Sequence, residues 1–188
     1  RGLWPGLSIS DCIIGAKLHG DLNEGAGSGG EVMQGNRWIG GVVDLCQDAG
    51  IELKRIDAAC AFNTFVGVTI RDNTGIGIRV IGARSTDLEG CLFSANLVHM
   101  LVDDVTPANV NGNVAGFTMT GGQMVDGQVQ LKNTLANVIF DSVEIIDTDI
   151  ILTSPQNNIL AIDCREASDV TVTGSATSSQ LKACTFAA

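Results

Sequence analysis

The chain has 188 residues, enough for one domain with a substantial core, and 45% of them are hydrophobic. Its 23 glycines, 17% charged residues and 4% aromatic residues argue against a helical or α/β enzyme, whose helices carry more Glu, Lys and Arg. The formal net charge of −10 would repel a polyanion, which argues against nucleic-acid binding through counterion release. The composition therefore favours many short strands joined by small-residue turns.

The N-terminal part has the least regular pattern. The chain starts at Arg1 without a recognisable signal peptide or membrane span, so we interpret it as a fragment of a longer chain. Residues 25–30 are rich in glycine and predict a flexible loop, and residues 37–46 and 51–60 predict early strands. We therefore expect an irregular lead-in segment over residues 1–36 and one β-domain over residues 37–188.

From residue 67 onward, apolar and polar residues alternate in runs of four to eight that end in Gly, Asn, Asp or Ser. This pattern is typical of half-buried strands. The predicted strands lie at residues 67–72, 75–81, 116–120, 127–132, 138–145, 149–152, 159–164, 169–173 and 181–186.

The predicted strands recur at the interval of a solenoid. With Leu92, Phe117, Val143, Ile162 and Ala183 as equivalent inward positions, successive members are 19 to 26 residues apart, a length typical of coils with two or three strands. A β-sandwich would need tight hairpins, which the sequence does not indicate. The fold prediction is an all-β, right-handed, single-stranded parallel β-helix. Asparagines between the strands are predicted to occupy its bends: Asn63, Asn73, Asn96, Asn113, Asn133 and Asn157.

The sequence gives no sign of a metal or cofactor site. None of the six cysteines lies in a C-x-x-C motif, so we expect free, buried thiols and folding in a reducing cytoplasm. Residues 25–30 do not open a helix that could hold a phosphate. No nucleophile elbow accompanies His19 or His99, so a Ser-His-Asp triad is not predicted.

Paired carboxylates are the predicted catalytic chemistry. Residues i and i+2 of a strand face the same way about 6.6 Å apart, and residues on neighbouring coils lie about 4.8 Å apart. These spacings are close to those of the acid/base pairs of inverting and retaining glycosidases. The candidate catalytic residues, each with solvated surface charge as the alternative interpretation, are Asp87 with Glu89, Asp147 with Asp149, and Asp163.

Two further residues are candidates for substrate binding. Trp38 is predicted to offer a stacking platform for a pyranose, as Trp4 could also do. Arg165 follows Asp163 at i+2, an arrangement suited to a surface ion pair or to a lyase that abstracts a proton beside a uronate. The scarcity of aromatic residues argues against a complete polysaccharide-cleaving groove.

The stretches FVGVTIRD (residues 65–72), GIGIRV (75–80), DLEGCLFSAN (87–96) and 159–173 resemble bacteriophage tail-spike β-helices and the pectate-lyase-like superfamily. The resemblance implies a homotrimer that binds or cleaves bacterial surface polysaccharide and contacts other virion tail proteins. It also implies assembly in the bacterial cytoplasm and a location in the virion. It supplies no fixed catalytic signature.

Three functions remain open from the sequence. The first is a tail-spike or tail-fibre segment with a structural and host-attachment role. The second is a polysaccharide depolymerase, a hydrolase or a lyase, that uses outward-facing carboxylates. The third is a bacterial surface adhesin, which would require a secretion signal upstream of Arg1.

Overall fold

Short strands make up nearly all of the regular structure. The computed structural model describes residues 2–20, 33–55, 60–103, 115–132, 136–152, 160–168, 172–173 and 180–182, and within these ranges it contains no helix. The strands are β1 (Leu3–Pro5), β2 (Ser8–Ser10), β3 (Ile14–Gly20), β4 (Met33–Gln34), β5 (Arg37–Ile39), β6 (Val42–Asp44), β7 (Ala49–Arg55), β8 (Cys60–Val66), β9 (Thr69–Arg71), β10 (Ile76–Ile81), β11 (Arg84–Glu89), β12 (Leu92–Ser94), β13 (Val98–Asp103), β14 (Ala115–Thr120), β15 (Gln123–Lys132), β16 (Ala136–Leu152), β17 (Leu160–Ser168), β18 (Val172–Thr173) and β19 (Gln180–Lys182).

The described strands pair only in parallel, each with its equivalents in the preceding and following coils. The first face contains β1, β5, β8, β11 and β14, the second contains β2, β6, β9 and β12, and the third contains β3, β7, β10 and β13. β15 pairs with both β12 and β13, and β16 pairs with both β14 and β15, so these strands continue around corners. This arrangement is a parallel β-helix, as the sequence predicts.

The core consists of columns of inward side chains. One column on the first face contains Trp4, Trp38, Phe65, Leu88, Met119 and Phe140, and the backbone register continues the same row to positions Ile162 and Leu181. Its members from Trp38 to Phe140 are at most 2% exposed. Successive positions in this row are 19 to 34 residues apart. One coil cannot bury this surface alone, so stacking supplies the hydrophobic stabilisation.

Two details of the predicted register are wrong. Leu92 and Phe117 are not equivalent, because Leu92 is aligned with Gln123 on the second face and Phe117 with Thr86 on the first. Val143 belongs to neither row, since it follows the corner residue Ser142. The coils differ in length at their corners, so a constant interval misassigns inward positions. Ala183 lies outside the described residues.

Residues before position 37 also contribute strands to the solenoid. β1, β2 and β3 lie within residues 1–36 and stack in register on β5, β6 and β7. The first two have three residues each and turn only one side chain inward, a run too short to show alternation. The predicted loop at residues 25–30 lies outside the described residues.

Left-handed residues mark the corners. The corner before the second face has Gly6, Gly40, Gly67, Gly90, Gly121 and Ser142, and the corner before the third face has Asp11, Leu45, Asp72, Ala95, Asp126 and Asp147, all with positive φ. A third series, at the start of the first face, contains Gly35, Phe62, Ser85 and Gly116. Repeating this conformation at one place per coil keeps the coils in register.

Asparagines at the corners have a structural role. Asn63, Asn73 and Asn96 are at most 2% exposed and each follows a left-handed residue rather than being one. Asn73 Nδ2 donates to Asn96 Oδ1 over 2.7 Å, and the Cys46 amide donates to Asn73 Oδ1 over 2.9 Å. The side chains thus satisfy buried backbone groups between coils. Asn113, Asn133 and Asn157 lie outside the described side chains.

The described cysteines are free thiols. Cys46, Cys60 and Cys91 are buried and Cys12 is partly buried. Burial raises the pKa of Cys60 and that of Cys91 to about 11, so both thiols are protonated and act as small apolar groups. The side chains of Cys164 and Cys184 lie outside the described residues.

Candidate functional site

Three carboxylates meet at the corner between the second and third faces. They line a surface depression with a volume of about 320 Å³. Another depression, of about 410 Å³, lies elsewhere on the molecule. We call the first one the corner depression; it is lined by Asn96, Leu97, Asp126, Gly127, Gln128, Asp147 and Asp149. It spans three successive coils. The sequence predicts Asp147 with Asp149, and the structure adds Asp126, which the sequence analysis missed.

Local register builds this depression. Asp126 and Asp147 are both left-handed corner residues with φ of 58° and 44° and both are exposed. Asp149 is aligned with Gln128 on the preceding coil. Thr148 is buried between the two aspartates, and its hydroxyl donates to the Ile146 carbonyl over 2.8 Å. Asp147 and Asp149 therefore point outward around a bend, not along a straight strand as the i, i+2 prediction supposes.

The chemistry of the corner depression is that of hydrogen-bond acceptors. Ionised carboxylates accept hydrogen bonds from hydroxyl groups, and the Gln128 amide both donates and accepts. The exposed side chain of Leu97, with 67% of its surface accessible, adds an apolar wall. Within the described ranges, no three His, Cys, Asp or Glu side chains are arranged as a metal-binding group. The depression is therefore suited to a polyhydroxylated ligand.

A second pair of carboxylates lies on the first face. Leu88 between them is fully buried, so Asp87 and Glu89 both face outward, as the sequence predicts. Asp87 is half-buried, with Thr64 and Thr118 beside it on the neighbouring coils. Burial, and then the Glu89 charge, raise the pKa of Asp87. Two nearby carboxyls in unlike environments are what a general acid and a general base require.

Asp163 and Arg165 lie apart from both places. Both belong to β17, where the structure describes the backbone only. On successive coils, Glu89 is aligned with Thr120 and Thr120 with Asp141. Asp141 is aligned with Asp163 on the coil after that. Asp163 is thus three coils from Glu89, and the register does not place it beside either candidate pair.

The predicted platform at Trp38 is wrong. Trp38 is 2% exposed and packs between Trp4 and Phe65, with both ring-centroid distances 5.9 Å. It is the middle residue of a three-residue strand whose outer residues, Arg37 and Ile39, are exposed. A ring in the core cannot stack on a ligand. Trp4 is half-buried against it.

Among the aromatic residues that the structure describes, Phe62 is largely exposed, and the sequence did not indicate this. It is 60% exposed. Phe62 lines the depression of about 410 Å³ together with Gln34, Gly35, Asn36, Arg37 and Thr64; we call this the Phe62 depression. The residues on either side of it, Ala61 and Asn63, are both buried, so Phe62 turns outward between two inward side chains.

Charged residues on the third face form an internal network. His19 Nε2 lies 2.6 Å from Glu52 Oε1, and Arg79 donates to Glu52 Oε2 over 2.8 Å and to Asp48 Oδ1 over 2.6 Å. Burial alone would raise the pKa of Glu52, but its bonds to Arg79 and His19 lower it. The groups satisfy one another, so this network is a structural feature and not a binding site.

Comparisons with protein-family models, with curated proteins and with solved structures find no significant match to this chain. Within the described ranges, no helix has the length and apolar character needed to cross a membrane. The assignment of function therefore depends on the geometry of the two depressions and of the Asp87 pair.

Proposed function

We propose that the chain is a segment of a bacteriophage tail spike or tail fibre that binds bacterial surface polysaccharide. In this proposal it is part of a homotrimer, contacts other tail proteins, assembles in the bacterial cytoplasm and is carried on the virion. The observation that supports polysaccharide binding is the corner depression, in which Asp126, Asp147 and Asp149 surround an open volume of about 320 Å³.

The physical basis is the match between acceptors and sugar hydroxyls. A pyranose presents neighbouring hydroxyl donors and one apolar face, and the corner depression presents carboxylate acceptors beside the Leu97 side chain. Three carboxylates disfavour an anionic unit, so this depression fits a neutral or amino sugar. The phage setting is supported by the resemblance to tail-spike β-helices and by the free, buried thiols, which suit folding in a reducing compartment.

Binding to immobilised bacterial capsular and O-antigen polysaccharides tests the proposal. We expect the wild-type chain to bind at least one of them, and Asp147→Asn and Asp149→Asn to weaken that binding tenfold or more, since each loses a charge-assisted hydrogen bond. Asp11→Asn is the matched control, because Asp11 is an exposed residue of the same corner series outside the depression. If no polysaccharide is bound, or if the control weakens binding equally, the proposal is wrong. Mass photometry of the wild-type chain tests the trimer.

A second function, a polysaccharide depolymerase, is favoured by Asp87 and Glu89. Burial raises the pKa of Asp87, which suits a proton donor to the leaving group, while Glu89 is exposed to water and suits the general base. Their backbone separation on one strand, about 6.6 Å, is close to the spacing of inverting glycosidases. A lyase would instead use one carboxylate to abstract a proton beside a uronate.

An assay for release of reducing ends from the bound polysaccharide tests whether the chain is a depolymerase. We expect Asp87→Asn to lower the rate by about 10² or more, as removal of a general acid does. Asp141→Asn is the control, because Asp141 is exposed on the same face two coils from Glu89. Ultraviolet absorption by an unsaturated uronate product would identify a lyase. Binding without release of reducing ends would leave attachment as the function and remove catalysis.

A further inference from the structure

Phe62 occupies a backbone position that disfavours it. Phe62 belongs to the corner series at the start of the first face. The equivalent positions of other coils are Gly35, Ser85 and Gly116, with φ of 68°, 50° and 77°. Phe62 has φ of 55°, a conformation that strains a bulky side chain. Because small residues adopt this conformation at the equivalent positions of other coils, the backbone conformation does not explain why position 62 holds a phenylalanine.

Burial does not explain it either. Among the described aromatic residues, Phe62 is the one with a largely exposed ring, at 60%. An exposed ring in a strained conformation contributes little to the core. Residues strained in this way cluster at ligand-binding and catalytic sites.

The space around Phe62 is concave, and both apolar and polar groups line it. The Phe62 depression has a volume of about 410 Å³. Gly35, on the preceding coil, lines the same depression. The Asn36 side chain is already engaged, since it donates to Asn63 Oδ1 over 3.0 Å and accepts from the Gly2 amide over 2.9 Å.

The cation of this depression is Arg37. Arg37 is exposed and aligned with Thr64 on the next coil. Within the described residues it forms no ion pair, unlike Arg71 and Arg79. A planar guanidinium beside an exposed ring is suited to a carboxylate attached to a flat, partly apolar group.

We propose that Phe62 and Arg37 form a subsite for a uronic-acid unit of the polysaccharide, an inference that rests on the proposed function. The Phe62 ring stacks on the C–H face of the pyranose. Arg37 binds the carboxylate through two parallel hydrogen bonds, and Thr64 and Gln34 bond to ring hydroxyls. The chain has a net charge of −10, so an acidic sugar requires a local cation.

The two depressions divide the recognition of one heteropolysaccharide. The corner depression, with three carboxylates, takes a neutral or amino sugar, and the Phe62 depression takes an acidic one. Thr64 lies beside Asp87 on the first face, so a uronate held by Phe62 lies on the same face as the Asp87 pair.

Binding to purified bacterial capsular polysaccharides, each offered intact and after chemical reduction of its uronic-acid carboxyls to alcohols, tests the subsite. We expect the wild-type chain to bind a uronate-containing polysaccharide and to lose at least tenfold in affinity after reduction. Phe62→Gly and Arg37→Gln should each weaken binding to the intact form tenfold or more. Phe62→Gly should not lower the melting temperature, because glycine relieves the strained φ.

Leu45→Gly is the matched control. Leu45 is also apolar, 49% exposed and left-handed, with φ of 56°, but it lies outside the Phe62 depression. We expect it to leave binding unchanged. The inference is overturned if Phe62→Gly binds like the wild type, if it lowers the melting temperature well below that of Leu45→Gly, or if the reduced polysaccharide binds equally well.

Asp149→Asn separates failure of this inference from failure of the proposed function. If Asp149→Asn weakens binding and the Phe62 and Arg37 variants do not, the subsite is wrong and polysaccharide binding stands. If the wild-type chain binds no polysaccharide in either form, both are wrong.

Discussion

Stability below neutral pH should depend on one buried histidine. His99 is fully buried, and its Nδ1 accepts from Asn96 Nδ2 over 3.2 Å. Its imidazole occupies space left by Gly127, where a Cβ would lie 2.7 Å from Nε2. Burial lowers the pKa of His99 from 6.5 to about 4, although the Val125 carbonyl and the Asp126 charge oppose the shift. The folded chain therefore excludes the proton that the unfolded chain binds.

The direction and size of the effect follow from this difference. Between pH 6.5 and about 4 the unfolded state binds more protons at this residue, so its contribution to stability is complete above that range and is lost as the pH falls through it. From pH 7 to pH 5, the loss in unfolding free energy is about 2 kcal/mol. Asp48 and Glu52, whose pKa values are lowered, add their own loss only at more acidic pH.

Urea unfolding at pH 7 and at pH 5 measures this loss. We expect the wild-type chain to lose about 2 kcal/mol and His99→Gln to lose only a small fraction of that, although the variant is less stable at pH 7 because glutamine fills the site less well. An equal loss in wild type and His99→Gln would refute the assignment to His99.

Other substitutions test the packing by urea unfolding at pH 7. Arg79→Met should cost about 2 kcal/mol because it leaves Glu52, 7% exposed, without its main partner; no loss would show that the network is dispensable. Gly122→Ala should cost about 3 kcal/mol, since its Cβ would lie 2.2 Å from a backbone oxygen of the preceding coil, whereas Gly90→Ala, with similar φ but open space around it, should cost about 1 kcal/mol; equal costs would contradict the close approach. Asn73→Ala should cost about 2 kcal/mol because it leaves buried backbone groups unpaired, and a cost under about 0.5 kcal/mol would refute this role.

The sequence predicts the positions of the strands well because inward and outward residues alternate with period two. The predicted strands at 75–81 and 116–120 match β10 and β14 closely. The register is predicted less well because coil length varies at the corners, as the misassigned Leu92 shows. β1 and β2 were not predicted because strands of three residues have too little alternation to detect.

The candidate site is only partly readable from the sequence. Asp147 and Asp149 are found together because they are close in the chain, whereas Asp126 joins them only through stacking of coils. Trp38 was assigned to the surface from its chemistry alone, and its position between two outward residues places it in the core. Phe62 was missed because its exposure depends on a left-handed corner, which composition does not reveal.

A crystal structure of the chain with a bound oligosaccharide, taken from a polysaccharide that it binds, tests the central claim most directly. The account predicts sugar density in the corner depression, with hydroxyls within hydrogen-bond distance of Asp147 and Asp149, and a uronate against Phe62. Sugar bound elsewhere on the surface, with both depressions empty, would contradict it.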